Sequence, residues 1–331
     1  MYWQQEREMD PINGLHHVTA VSRDAQVNVD FYRNVLGQRL VKKTVNFDSP
    51  DSYHFYFADE VGTPGSVLTF FAWPRMKQGI RGNGETAAVA YNISGTSIGF
   101  WQDYLGGKGI AVQPVEQRFG MEVLSFDDPD GIRIELIASD SPAAVQHWEI
   151  GPIPEAHTLN GFHSVTLWLE EIEPTADLLI TNMGYRLAEQ EGNRYRFRGV
   201  ADSVANTLDI LHRPGQPEDI PDEAVFGAGS IHHIAFRVPT DQEQLEYQAA
   251  LRASGYGVTP VRDRSYFHSI YYREPGGVLF EIATEGPGFA IDEPVESLGE
   301  SLKLPEWFEP TRSAIEADLQ PITLNPVEKV K

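Results

Sequence analysis

Leu15-His16-His17-Val18-Thr19 and Ile231-His232-His233-Ile234-Ala235 are two copies of one pattern, an apolar strand carrying a histidine pair. Ala87-Ala88-Val89-Ala90-Tyr91 and Phe162-His163-Ser164-Val165-Thr166 keep the strand character and lose the pair. Aligned on His17, Ala88, Ser164 and His233, the four stretches are 71, 76 and 69 residues apart, a period regular enough to indicate duplicated units. Each leads into a helical pattern that stops at glycine, the residue best suited to the left-handed position closing a helix. These helices are expected at Ala25–Leu36, Ser97–Leu105, Pro174–Met183 and Asp241–Ser254, ahead of Gly37, Gly106, Gly184 and Gly255. Closing strands follow at Gly65–Phe71, Gly131–Ile137, Thr207–Leu211 and Gly277–Ala283. Two of them come after clear turns, Asp128-Pro129-Asp130-Gly131 and Glu274-Pro275-Gly276-Gly277. The unit is therefore βαβββ. Modules are expected at 12–74, 85–140, 160–212 and 229–286, with linkers near Arg75–Gly84, Ser141–Leu159 and Arg213–Gly227 and a tail at 287–331. The expected fold class is α+β, with the four modules paired into two cup-shaped mixed sheets.

Composition narrows the function. The 331 residues carry 26 Lys and Arg against 48 Asp and Glu, a formal charge of −22. So acidic a chain repels phosphate backbones and anionic lipid, which argues against nucleic-acid and membrane-surface partners. No apolar run approaches the ~20 residues of a spanning helix, and the start lacks a signal peptide's basic and apolar regions. Without cysteine there are no disulfides, thiolate metal sites or thiol nucleophiles. A soluble, cytoplasmic protein is expected, with Met1–Glu8 as an extension ahead of a second start at Met9.

Superposing the units exposes two sets of equivalent positions. The first is His17, Ala88, Ser164 and His233; the second, on the closing strands, is Phe70, Glu135, Asp209 and Glu281. Pairing the first unit with the fourth gathers His17, Phe70, His233 and Glu281 at the bottom of one cup. Two imidazoles and one carboxylate with open positions form the ligand set of non-haem Fe(II) oxygenases. The other pairing, Ala88, Glu135, Ser164 and Asp209, cannot build that site. A lone strand histidine is usually structural, but two pairs at the same repeat position are hard to obtain by accident. Side chains alternate along a strand, so one histidine of each pair faces the cup, and periodicity does not say which. A hairpin centred on Gly276 would set Tyr271 across from Glu281.

Other motifs read as structural. Gly95-Thr96-Ser97-Ile98-Gly99 matches a nucleophile elbow, but the repeat makes Ser97 a strand–helix junction and an N-cap. Gly106-Gly107-Lys108-Gly109 lacks phosphate-loop spacing. Glu135 has no ligand partners. His54, His147, His157, His163, His212 and His268 have no matched partner in the repeat, although His268 is close enough to Tyr271 in sequence to line the cup.

The segments Phe31-Tyr32-Arg33-Asn34-Val35-Leu36-Gly37 and Asp128-Pro129-Asp130-Gly131-Ile132-Arg133-Ile134-Glu135-Leu136 resemble signatures of the vicinal oxygen chelate superfamily, which includes glyoxalases and extradiol dioxygenases. Gly14-Leu15-His16-His17, the segment from Tyr53 to Gly65, Ile231-His232-His233 and Pro275-Gly276-Gly277-Val278-Leu279-Phe280-Glu281 are similar to the ring-cleaving hydroquinone dioxygenases within it. The resemblance runs from about Ile12 to Gly299. It implies His17, His233 and Glu281 as Fe(II) ligands, with His16, Thr19, His232, Arg264 and Tyr271 around them. It also implies a small aromatic diol and O₂ as partners, with hydroquinone or catechol preference and the formation of a homo-oligomer left open. The alternatives are a glyoxalase-type isomerase or lyase, whose fourth ligand Phe70 cannot provide, and a non-catalytic protein that sequesters aromatic compounds.

Overall fold

The computed structural model describes residues 10–139, 145–201, 204–214 and 223–330. The extension Met1–Glu8, Met9, the last residue of the expected second module, residues 202–203 of the expected third, parts of the linkers at 141–159 and 213–227, and the final residue of the tail lie outside the described residues. The first unit runs β1 (Leu15–Ser22), α1 (Ala25–Val29), β2 (Arg39–Asn46), β3 (Ser49–Ala58) and β4 (Val67–Ala72). The second is β5 (Glu85–Ser94), α2 (Ile98–Gly107), β6 (Glu116–Arg118), β7 (Met121–Asp127) and β8 (Arg133–Ser139). The third is β9 (Phe162–Leu169), α3 (Glu173–Asp177), β10 (Tyr185–Glu191), β11 (Arg194–Gly199) and β12 (Thr207–His212). The fourth is β13 (Ile231–Val238), α4 (Asp241–Ala253), β14 (Arg262–Asp263), β15 (His268–Arg273) and β16 (Leu279–Thr284).

Two eight-stranded sheets result, ordered β14-β15-β16-β13-β1-β4-β3-β2 and β10-β11-β12-β9-β5-β8-β7-β6. The first unit is thus paired with the fourth and the second with the third, through the antiparallel seams β1–β13 and β5–β9. Within every unit the last strand returns parallel to the first, a geometry that requires a crossover and receives it from the helix and the meander strands. β1 is buried along its whole length because one face packs on the core and the other lines the cup.

The seams are not regular. Leu15 pairs with Phe236 and His17 with Ala235, so His16 is an extra residue; Thr19 pairs with His233 and Ala20 with Ile231, so His232 is another. The second seam repeats the device, skipping Ala87 and His163. Each first strand therefore carries a β-bulge one residue before its anchor, which re-aims the side chains around it.

Two of the expected helices differ in kind. After α1 the chain widens into a π-helix at Asp30–Val35, closed by Leu36 N–H donating to Phe31 O at 3.0 Å. The third unit does the same at Leu178–Asn182 after α3. Widening buries consecutive side chains, Phe31 with Tyr32 and Leu178 with Leu179, which 3.6-residue periodicity separates. α2 runs through Gly106 to Gly107, and the left-handed residue is Gly109 with φ 76°. α4 starts from a capping box between Thr240 and Glu243.

The tail drapes along the β2 edge. Lys42, fully buried, donates to Asp292 and Glu293 at 2.6 Å each. Arg39 donates to Val295 O, and Lys303 N–H to Lys43 O. Gly299, with φ 75°, lies so close to Leu40 O that no side chain fits. α5 (Arg312–Asp318) then packs Ile315 against Val45. No helix among the described residues is long and apolar enough to cross a membrane.

Lys42→Ala strands the buried Glu293 carboxylate, and removing one partner of a buried pair costs roughly 3–5 kcal/mol. Urea denaturation should show a loss of that size, with limited proteolysis opening the chain after Gly286; an unchanged urea midpoint would contradict the clamp.

Candidate metal centre

His17 on β1, His233 on β13 and Glu281 on β16 converge on one point, with ligating atoms within 4.8 Å of one another and every side chain buried. His17 Nε2 lies 3.2 Å from His233 Nε2, and Glu281 Oε2 lies 3.5 Å from the first and 2.9 Å from the second. Glu281 Oε1 accepts from Ser269 Oγ at 2.5 Å, whereas the buried Oε2 receives no well-directed hydrogen bond. Burial alone would raise the Glu281 carboxyl; the two imidazoles outweigh it and hold the group well below the usual carboxylate range. Two imidazole nitrogens and a carboxylate oxygen without a well-directed hydrogen bond meet at one buried point, an arrangement able to hold a cation. That donor set fits a divalent transition metal with open positions.

The bulges decide what surrounds it. Strict alternation would send His16 and His232 to the far side of the sheet. Instead His16 Nδ1 lies 2.9 Å from His17 Nδ1, and His232 Nδ1 lies 2.8 Å from His233 Nδ1. If the ligand nitrogens are both Nε2, each ligand carries its proton on Nδ1 and donates it to the preceding histidine. This fixes tautomer and ring orientation in the role usually taken by a carboxylate or carbonyl. Burial, then the neighbouring ligand imidazole, pushes His16 well below its normal value and His232 down to about 3, so both are neutral acceptors.

Tyr271 pairs with Glu281 across the β15–β16 hairpin, as the turn predicts. Its ring is 5.7 Å from His233, and its hydroxyl oxygen accepts from Arg264 Nε at 3.1 Å. Burial, then the Glu281 charge, raises the Tyr271 phenol against the opposing pull of Arg264. Arg264 also reaches Asp48 at 3.1 Å, and the left-handed turn at Ser265 (φ 65°) holds Arg264 and Phe267 on the same cavity. Thr19 bonds Thr69 at 2.8 Å. All eight residues singled out in the sequence are therefore gathered in this cup.

The cavity above the triad holds about 190 Å³ and is walled by Phe47, Phe71, Trp73 and Phe267, with His54, Tyr56, Arg264 and Tyr271 as polar groups. Sites for drug-sized ligands run to ~300–1,000 Å³, so this one suits a single-ring molecule. A larger cavity of about 570 Å³, lined by Glu85, Glu170, Glu171 and Glu223, meets the site only through His232.

Several expectations are corrected. The fourth closing position is Thr69, because Thr19 pairs with Thr69 as Ala235 pairs with Glu281; Phe70 faces the core, 4.5 Å from Tyr32. Thr69 is polar but already committed, bonded to Thr19 and to His54 Nε2 at 2.9 Å. His54 does have a repeat partner. It pairs with Phe71, two residues past Thr69, as Ser269 pairs with Ala283, two past Glu281. By the same register Tyr56 is the counterpart of Tyr271. His268 turns away to an exposed ion pair with Asp241 at 2.7 Å. Ser97 holds the N-cap position but makes no cap bond; its hydroxyl meets His157 Nδ1 at 2.9 Å. Glu135, expected to lack ligand partners, is clasped by Arg118 at 2.7 and 3.0 Å in a structural ion pair consistent with that expectation, and Arg196 clasps Asp209 at 2.8 and 3.0 Å. Guanidinium groups thus fill the second cup where a metal would need free carboxylates.

Comparison with known proteins gives a consistent picture. A family model described as the Glyoxalase/Bleomycin resistance protein/Dioxygenase superfamily matches residues 14–136 and 156–282. The chain is 42% identical over 316 residues to "Putative ring-cleaving dioxygenase MhqO" of Bacillus subtilis strain 168, covering 95% of this chain and 98% of that protein. It is 36% identical over 306 residues to the chlorohydroquinone/hydroquinone 1,2-dioxygenase of Sphingobium indicum, covering 90% and 93%. A solved structure of a "putative dioxygenase" from Bacillus subtilis superposes with a TM-score of 0.88 at 40% identity, covering 96% of this chain and 99% of that one. Glyoxalase I from Zea mays, at 13% identity, TM-score 0.60 and coverage of 82% and 92%, shares the fold.

His17→Ala, His233→Ala and Glu281→Ala should each lose the bound metal while circular dichroism stays native. Glu135→Gln should keep one metal per chain, at some loss of stability from the stranded Arg118. Elemental analysis decides: near-normal metal in an alanine variant strikes that residue from the set, and two metals per chain contradict a closed second cup.

Proposed function

The chain belongs to the Glyoxalase/Bleomycin resistance protein/Dioxygenase superfamily, and from that premise we propose that it is an Fe(II)-dependent dioxygenase cleaving the ring of a hydroquinone or related aromatic diol. The observation that carries this reading is the three-donor set His17, His233 and Glu281, with the fourth equivalent position held by an already bonded threonine. A site that stops at three protein ligands leaves room for both diol and O₂. Bound Fe(II) would supply those open positions and the electron transfer between the two partners. The relatives' names supply the diol chemistry as a direction.

The protein's own groups do the rest. Phe71 and Trp73, stacked 5.2 Å apart, and Phe267 across the cavity confine a flat ring and exclude water from it. Because Arg264 Nε–H already donates to the Tyr271 oxygen, the phenol hydrogen is free to donate to a substrate oxygen. The guanidinium adds a fixed positive charge beside that oxygen, where a developing anion gains most. His16 and His232 hold the ligand rings in register.

Anaerobic loading with Fe(II), followed by oxygen-electrode assays over hydroquinones and catechols, should show one O₂ consumed per diol lost. Absence of uptake across the panel would favour the isomerase or binding reading instead. Tyr271→Phe should keep the metal and lower kcat about 10²-fold, the size of a positioned proton-transfer contribution. Arg264→Lys should also slow turnover, since an ammonium keeps the charge and loses the planar fork. Wild-type rates in both variants would remove these two residues from the chemistry.

A further inference from the structure

Across β1, β4 and β3 runs a chain of four hydrogen-bonding side chains that the triad does not use. Thr19 Oγ1 meets Thr69 Oγ1 at 2.8 Å, Thr69 Oγ1 meets His54 Nε2 at 2.9 Å, and His54 Nδ1 meets the Tyr56 hydroxyl at 3.0 Å. One end is next to the metal centre: Thr19 pairs with His233 across the seam and follows His17 by two residues on the same face. The other end opens on the cavity, which both His54 and Tyr56 line. Resting on the dioxygenase reading above, we propose that Thr19, Thr69, His54 and Tyr56 are a proton relay between the floor of the cup and the substrate ring, with the His54 imidazole as its tautomer switch.

The direction of every bond in this chain is reversible, because hydroxyl groups and a neutral imidazole both donate and accept. In one state Tyr56 donates to Nδ1, Nε2–H donates to Thr69, Thr69 donates to Thr19, and the free hydrogen is on Thr19. In the other state all three bonds are reversed and the free hydrogen is on Tyr56, aimed into the cavity. Passage between them balances. Tyr56 gives its proton to a substrate oxygen and takes one from Nδ1; Nε2 takes one from Thr69, Thr69 from Thr19, and Thr19 from a hydroxyl or water oxygen on the floor. One proton crosses the cup and no charge remains on the protein. The reverse passage removes a proton from a ring hydroxyl.

This mechanism needs an imidazole that stays neutral, and the surroundings enforce it. Burial first, then the neighbouring His17, His233 and Arg264, keep His54 well below its normal value against the weaker pull of Glu281. The sheet register gives a second argument. Ser269, the counterpart of His54, spends its hydroxyl on the ligand Glu281. In the first unit the closing residue is the neutral Thr69, so the same interaction orients no ligand and instead links to an imidazole with a second nitrogen to offer. A purely structural side chain at this position needs one hydrogen bond to Thr69 and no exchangeable proton on the other side.

The test uses His54→Gln, which keeps a donor and an acceptor but cannot exchange them. Metal content and KM should stay near wild type, kcat should fall at least tenfold, and the solvent deuterium isotope effect on kcat should rise. An unchanged kcat and isotope effect would overturn the relay. The second readout needs no activity: ¹⁵N imidazole NMR of the metal-free protein. His54 should show both nitrogens averaged between protonated and unprotonated limits from pH 6 to 9, and Thr69→Val should collapse the pair to one tautomer. A single fixed tautomer in the wild-type chain, unmoved by Thr69→Val, overturns the relay as well. A wild-type enzyme that consumes no O₂ with any diol would count against the dioxygenase reading, while the NMR result still decides whether the switch exists.

Discussion

The site depends on the antiparallel seam where β1 meets β13. Neither the first nor the fourth unit holds a metal site alone: one contributes a single imidazole, the other an imidazole and a carboxylate. Their register, with Thr19 facing His233, brings the two Nε2 atoms to 3.2 Å. A slip of one residue would turn each strand's side chains to the other face and dissolve the site. The bulges at His16 and His232 each shift the pairing by one residue in opposite senses, so the register is the same on either side of the stretch they enclose. They bring two consecutive histidines to one centre, the second carrying the candidate ligand nitrogen and the first within hydrogen-bond distance of its Nδ1.

The second seam is built on the same plan, bulges included, which makes it an internal control for what the scaffold alone determines. There the anchors are Ala88 and Ser164, and the two carboxylates at the closing positions are each held by a bidentate arginine. Buried carboxylates must be neutralised by something, whether metal or guanidinium. The fold therefore provides the convergence of groups in both cups, and the residue types at the anchors decide what the convergence holds.

Much of this was legible in the sequence, and the successes and failures share a physical basis. The Tyr271–Glu281 pairing followed from counting through the turn at Gly276 because a tight turn fixes hairpin register. Counting failed in the first unit, where an eight-residue loop separates β3 from β4 and no tight turn constrains the register. The error was one residue, but it exchanged a core phenylalanine for Thr69. It also hid His54 and Tyr56, whose repeat partners are visible only when Thr69 is aligned with Glu281. The histidine pairs were read by alternation, which the bulges override. The π-helical turns escaped for a similar reason: an extra residue inside a regular element leaves no mark on composition or spacing.

The corrected alignment changes how the cup is understood. Its two halves contribute matched phenols, Tyr271 and Tyr56, to one cavity. Behind Tyr271 stand a permanent cation and a carboxylate; behind Tyr56 stand a neutral imidazole and two hydroxyls. A ring entering this cavity meets one phenol hydrogen-bonded to a cation and another hydrogen-bonded to a neutral imidazole. An oxygen that develops negative charge is better placed toward Arg264, and one that must exchange a proton without holding charge is better placed toward Tyr56. The asymmetry follows from differences between the repeats, a threonine at Thr69 where the fourth unit has Glu281 and an imidazole at His54 where it has Ser269. That same threonine leaves the candidate metal centre with three donor side chains, so it bears both on the vacancy that the proposed chemistry needs and on the difference between the two phenols of the cavity.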